Sequence, residues 1–249
     1  MKFIALTSAL AAVASATTYH ASEAFQGDGF YTGFSFEAIP DPTNGRVQYV
    51  DKATAQANNL TFATDDIFIL RADRWTTLTA GGPGRQSVRI QSTKAYTNHI
   101  SVFNVRHMPQ GCATWPAMWY ADTNNWPGAG EIDVLEGVND VMPNAASLHT
   151  TARCSMPGAR TELGAAEQLD CNWLANGNAG CGVSMSTQDS YGPAFNANGG
   201  GWFVAERNSA GISVWFWARN DATVPLDVKE RHNVVITETW VSENLYIRR

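Results

Sequence analysis

Charge is scarce in this chain of 249 residues. Asp, Glu, Lys and Arg make up only 16% of it, and 17 basic residues face 23 acids, for a formal net charge of −6. A nucleic-acid binder needs a basic face to displace counterions from phosphates, so that class is excluded. The same balance disfavours adhesion to anionic membranes. Cysteine is also rare, with four in all and none in a C-x-x-C pair, and no H-x-x-x-H spacing occurs. Both absences argue against a zinc site. No G-x-S-x-G elbow, P-loop or dinucleotide fingerprint is present, which removes the hydrolase, nucleotide and hydride-transfer chemistries those motifs serve. No repeat of 20–50 residues suggests a solenoid or propeller. Aromatic residues, by contrast, are plentiful at 11%, including nine Trp, and hydrophobic residues reach 44%. Such a chain buries a sizeable core, and its Trp surface suits neutral substrates.

The first sixteen residues, Met1–Ala16, predict a signal peptide. Lys2 supplies the positive start, Phe3–Val13 the apolar stretch and Ala14-Ser15-Ala16 the A-x-A cleavage site. A membrane anchor or buried helix is the rival reading, but the apolar run falls short of the ~20 residues a bilayer needs. The expectation is therefore a secreted, extracellular protein. Export makes Cys112, Cys154, Cys171 and Cys181 disulfide candidates, with three connectivities among which the sequence does not choose. Asn59-Leu60-Thr61 is a glycosylation sequon, in keeping with a secreted surface loop.

Beyond the start, short β-branched and aromatic runs recur between Gly, Pro, Asn and Asp. They predict strands at Arg46–Val50, Ile67–Arg71, Ser87–Gln91, His99–Arg106, Ala117–Ala121, Glu131–Glu136, Ala146–Thr150, Gly201–Ala205 and Ile212–Ala218. The stretch Gly158–Gly200 is poor in strand signal and reads as a long loop region stapled by two cysteines. No linker divides the chain, and the pattern is that of an antiparallel sandwich with one core.

One segment carries chemistry: Gly130-Glu131-Ile132-Asp133-Val134-Leu135-Glu136-Gly137. Side chains alternate along a strand, so Glu131 and Asp133 share a face and Glu136 falls on the other. One bulge after Asp133 brings Glu136 back, because Val134 and Leu135 then both turn inward, and both are apolar. The bland alternative is a solvated sheet face. Yet no Lys or Arg stands nearby, and this composition produces E-x-D-x-x-E by chance far less than once in a chain of this length. Crowded like charges raise the pKa of at least one carboxyl. Two glutamates on one face suit retaining glycoside hydrolysis, with one as nucleophile and one as acid/base.

GEIDVLEGVND, the strand Cys112-Ala113-Thr114-Trp115-Pro116-Ala117-Met118-Trp119, and the stretches Gly84–Ile90, Ser147–Thr150 and Val214–Trp217 together resemble glycoside hydrolase family 16, in particular the secreted fungal endo-1,3(4)-β-glucanases (laminarinases). The resemblance runs from about Tyr19 to Val228. It implies an all-β fold, a concanavalin A-like β-jelly-roll sandwich of two antiparallel sheets with a sugar cleft across its concave face. It further implies double displacement without a metal or cofactor. Carried over by position, Glu131 matches the nucleophile, Asp133 the helper carboxylate and Glu136 the acid/base. Trp115, Trp119, Trp126 and His149 match residues of the substrate cleft. For Trp115 and Trp119, four apart on one strand face, the plain alternative is a place in the core; the loop context of Trp126 favours exposure, and for His149 the plain alternative is a structural role. The implied partner is a β-glucan polysaccharide, with no nucleic acid and no membrane, and the chain is expected to act as a monomer.

The organisation expected is a signal peptide at 1–16, a catalytic domain at 17–228 and an atypical tail at 229–249. Family members run on for tens of residues past the equivalent of Val228. Here His232–Ile236 resembles the start of one such strand, whereas Thr237–Arg249 departs from the pattern. The expectation is a shortened sandwich lacking C-terminal strands. Two rival functions use the same residues: a glucan transglycosylase, in which another sugar intercepts the covalent intermediate, and a non-catalytic glucan-binding module.

Overall fold

A computed structural model describes residues 18–160, 162–237 and 240. The predicted signal peptide and residues 238, 239 and 241–249 of the predicted tail lie outside the described residues. Eight strands form the two sheets that build the site. They are β1 (His99–Val105), β2 (Ala117–Ala121), β3 (Glu131–Glu136), β4 (Ala145–His149), β5 (Ala165–Ala166), β6 (Cys181–Ser184), β7 (Gly201–Arg207) and β8 (Ile212–Ala218). The larger sheet has the order β5-β6-β4-β3-β2 and the smaller β8-β7-β1, with every pairing antiparallel. The chain is a β-jelly-roll sandwich: the strand pattern predicts an antiparallel sandwich, and the family resemblance implies the jelly roll.

Alternation decides which residues enter the core. Ile132, Val134 and Leu135 of β3, Leu148 of β4 and Val183 of β6 meet Phe203, Ala205, Val214 and Phe216 of the smaller sheet. The opposite face of the smaller sheet is also covered. Trp202, Val204, Trp215 and Trp217 pack with Val224, Val228 and Trp240. With both faces buried, β7 and β8 read as nearly unbroken apolar runs.

The remaining strands are short. Phe34–Phe36 pairs with Ile90–Ser92, Thr61–Ala63 with Phe68–Leu70, and Val47–Tyr49 runs parallel to Arg85–Ser87. The predicted strand Ser87–Gln91 is therefore interrupted. Val88, in the gap, turns to a separate small cluster of Val50, Ala55 and Leu60 beside the helix Lys52–Ala57. Val234–Ile236 pairs with Thr18–His20, so the strand expected near His232–Ile236 is present.

The stretch from Gly158 to Gly200 corrects the sequence reading. It holds β5, β6 and the helix Gly192–Ala197, and β6 is an interior strand of the larger sheet. The signal was weak because β6 is only Cys-Gly-Val-Ser, and Gly182 lies where a Cβ would meet the Ala146 carbonyl at 2.9 Å. Close strand packing, not β-propensity, places that residue. Tyr191 and Phe195 from the same stretch are fully buried in the main core. The staple itself is real: Cys171 and Cys181 form a disulfide, while Cys112 and Cys154 are unpaired among the described residues.

Candidate active site

Strand β3 places the carboxylates. Its register against β2 runs Glu131–Ala121, Ile132–Tyr120 and Asp133–Trp119, then resumes at Leu135–Met118 and Glu136–Ala117. Val134 is the extra residue, so the bulge lies directly after Asp133. Val134 and Leu135 are both buried in the core, and Glu131, Asp133 and Glu136 share the outer face. Glu131 and Glu136 stand opposite residues four apart on β2, about 13 Å between Cα atoms at ~3.3 Å per residue. Two side chains leaning toward each other span much of that distance.

A bulge frees backbone groups from the ladder, and these need partners. Fully buried Asn144 supplies them: its Oδ1 accepts from the Glu136 N–H at 3.0 Å, and its Nδ2 donates to the Val134 carbonyl at 2.9 Å. The Ser190 hydroxyl accepts from the Asn144 N–H at 3.0 Å, which ties this cap to the segment ahead of the helix.

Around the acids, each sequence-predicted residue takes a definite place. Trp115 is 53% exposed and donates its indole N–H to Glu136 Oε1 at 2.8 Å. The indole N–H of Trp126 donates to Glu131 Oε2. Trp119 lies opposite Asp133 on the acid face, with the Arg89 guanidinium 5.0 Å from its ring centre and Glu37 paired to Arg89 at 2.6 Å. His149 of β4 stands opposite Glu131, and its Nε2 lies 3.2 Å from Asp133 Oδ2. This is a charge contact and not an aligned hydrogen bond, for Asp133 Oδ2 is buried without a hydrogen-bond partner. All four predicted cleft residues thus join the three acids on one face, and none is in the core cluster between the sheets.

The electrostatics separate the acids. Asp133 is 2% exposed, and burial drives its pKa up to about 7, aided by the charges of Glu136 and Glu131 and opposed by the His149 contact. Burial also raises Glu136, with the Trp115 hydrogen bond working in the other direction. For His149, burial works against the charged form, but the contact with Asp133, the Asn178 hydrogen bond and the Glu131 charge carry it up to about 8. Burial thus lifts Asp133 and Glu136 above the ordinary carboxylate range, the kind of tuning that acid/base chemistry uses. Ligating atoms of Asp133, Glu136 and His149 lie within 4.8 Å of one another. Each already has a place in this constellation of acids and His149, and we assign none of them as a metal ligand.

Three contributors escape a sequence reading. Asn144 was hidden because a buried Asn in a Pro-Asn-Ala-Ala segment looks like a turn residue. Asn178 accepts from His149 Nδ1 at 3.0 Å, and Trp173 packs edge-on against Trp126 with ring centres 5.2 Å apart. Both come from the loop closed by the Cys171–Cys181 disulfide, and nothing in their local sequence points to β3.

A family model described as "XgeA-like, catalytic GH16 domain" matches residues 34–245. A probable endo-1,3(4)-β-glucanase of Aspergillus clavatus is 40% identical over 205 residues, which cover 82% of this chain and 32% of that protein. The chain spans half or less of the length of the curated relatives with which it was compared. Among solved structures, the family 16 laminarinase 16A of Phanerochaete chrysosporium, with two β-glucans in its donor and acceptor sites, superposes with a TM-score of 0.91. It is 52% identical, covering 93% of this chain and 78% of its own. An elongating family 16 β-1,3-glucosyltransferase superposes with a TM-score of 0.77 at 34% identity, covering 86% of this chain and 71% of its own.

Proposed function

The chain belongs to glycoside hydrolase family 16, and on that premise we propose that it is a secreted, retaining endo-β-glucanase cleaving β-1,3 or mixed β-1,3/1,4-glucan by double displacement. The observation that carries this reading is the bulged strand β3, which turns three acids to one face and leaves them in unequal environments.

In the first step Glu131 attacks the anomeric carbon, and the glycosidic bond breaks as Glu136 gives its proton to the leaving oxygen. Burial suits Glu136 to this task because it keeps the carboxyl protonated to higher pH than a surface glutamate. Asp133 and His149, in charge contact beside the glutamates, balance the charge on Glu131 and Glu136 as it changes over the cycle. In the second step Glu136, now a carboxylate, takes a proton from water, and the hydroxide oxygen displaces Glu131 from the sugar. Exposed Trp115 and Trp126 offer ring faces to the apolar faces of sugar units, while their N–H groups orient the two glutamates. Secretion is supported by the character of Met1–Ala16 and by the Cys171–Cys181 disulfide, which belongs to an oxidising compartment.

The test is reducing-sugar release from a β-1,3-glucan by the purified chain, with Glu131→Gln alongside. Wild type is expected to release sugar, and the variant to lose about 10³-fold or more of kcat. Added azide rescues Glu131→Ala as the α-glycosyl azide and Glu136→Ala as the β-glycosyl azide, which separates nucleophile from acid/base. Turnover by Glu131→Gln at the wild-type rate overturns the assignment. The similarity to an elongating glucosyltransferase supports a second reading, transfer to another sugar in place of water. Products longer than the substrate in the same assay are its signature.

A further inference from the structure

The eleven residues from Cys171 to Cys181 touch the acid face at three separate points. Asn178 Oδ1 receives the His149 Nδ1–H at 3.0 Å. An amide oxygen only accepts, so this bond fixes the proton on Nδ1 and turns Nε2 toward Asp133. Gly180 lies against the same ring: a Cβ there would stand 2.9 Å from His149 Cε1 and 3.0 Å from Nε2, at a φ of +67° that favours glycine. At the other end, Trp173 meets the edge of Trp126, whose N–H donates to Glu131.

The loop is built to hold these positions. Cys171 and Cys181 are fully buried, and Cys181 lies in β6 opposite Leu148, next to His149. The Thr150 N–H donates to the Cys171 carbonyl at 2.8 Å, and the Trp173 N–H donates to the Thr150 carbonyl at 3.0 Å. Within the loop, Ala175 and Asn178 donate back to Asn172 and Ala175 in successive turns.

We infer that this disulfide-closed loop is the frame that positions His149 and Trp126, with Asn178 and Trp173 as positioning residues for the two ends of the acid cluster. Asn178 holds the proton on His149 Nδ1 and the ring orientation that turns Nε2 toward Asp133. Trp173 fixes the plane of the indole that meets Glu131, so it shapes the sugar site on that side. Opening the disulfide loosens both together. The charged groups facing His149 are Asp133, Glu131 and Glu136, all on β3. The loop brings no ionisable side chain apart from the bonded cysteines, so its influence on His149 runs through the Asn178 hydrogen bond and through packing.

Two readouts test this. The first follows the His149 ring protons by NMR against pH, in wild type, Asn178→Ala and the Cys171→Ser/Cys181→Ser double variant, and needs no glucan. The His149 midpoint is expected to fall toward the ordinary value of about 6.5 in both variants. An unchanged midpoint in Asn178→Ala overturns the role of Asn178 even if the double variant does not fold. The second rests on the glucanase reading: Trp173→Ala raises KM on a β-1,3-glucan about tenfold together with a fall in kcat, and Trp173→Phe restores both. An unchanged KM, or an equal loss in Trp173→Phe and Trp173→Ala, overturns the role of Trp173. Absence of turnover by the wild type defeats the glucanase reading, while the NMR titration still decides the part played by the loop.

Discussion

Trp115 and Glu136 show how a single hydrogen bond tunes an acid. Burial raises the Glu136 carboxyl, and the indole N–H of Trp115 favours its charged form. Removing the donor while keeping a ring should therefore raise the carboxyl further. In Trp115→Phe the alkaline limb of kcat/KM is expected to move to higher pH, since that limb marks loss of the acid proton. A pH–rate profile of the two proteins checks it, and a limb that stays or moves down counts against Glu136 as the acid. Glu131 meets an indole too, that of Trp126, so each glutamate has its own Trp. The aromatic residues thus do more than offer stacking faces.

At the scale of the element, the bulge is what makes β3 a functional strand. One unpaired residue, Val134, lets an alternating strand carry acids at positions two and then three apart on the same face. The freed backbone groups are satisfied by Asn144, which binds the backbone of the strand on either side of Leu135. In Asn144→Ala two buried backbone groups lose their partners, at about 1–3 kcal/mol each. The variant is expected to be less stable by about 3 kcal/mol in denaturant titration. Its activity should fall as well, because the Glu136 backbone is no longer held. Wild-type stability in that variant would mean that the bulge is held by strand packing alone.

The whole molecule carries the cost of keeping protons in its cleft. Asp133 has a folded pKa of about 7 against about 3.9 in an unfolded chain, so between those values the folded state holds the extra proton. His149 acts in the same direction between about 6.5 unfolded and about 8 folded. Both contributions are complete below the unfolded value and are lost as pH rises through the folded one. Tm is expected to decline from about pH 5 to pH 8.5, and Asp133→Asn should flatten the part below pH 7. Thermal melts across that range decide it, and a Tm that rises with pH would contradict the buried proton. At the acid end the sign reverses, for Asp51 caps the helix Lys52–Ala57 through the Thr54 N–H, which holds its carboxyl below the usual range. That contribution is lost as pH falls.

The acid strand was legible because its pattern obeys a local rule. Period-two alternation, broken once by two adjacent apolar residues, dictates a bulge at Val134, and the register has it there. Strands β2, β3 and β8 have the bounds their composition predicts, and the all-β sandwich follows from many such short runs. What the sequence did not carry is whatever depends on residues far apart in the chain. Strand β6 exists because neighbouring strands approach closely at Gly182, and the pairing of Cys171 with Cys181 depends on where β4 and β6 set them. Asn178 finds His149 across 29 residues, and Asn144 reaches Ser190 across 46. Side-chain type and alternation fix which face a residue turns to. Only the packed sandwich, in which strand order and loop closure bring distant segments within hydrogen-bond range, decides what it meets there.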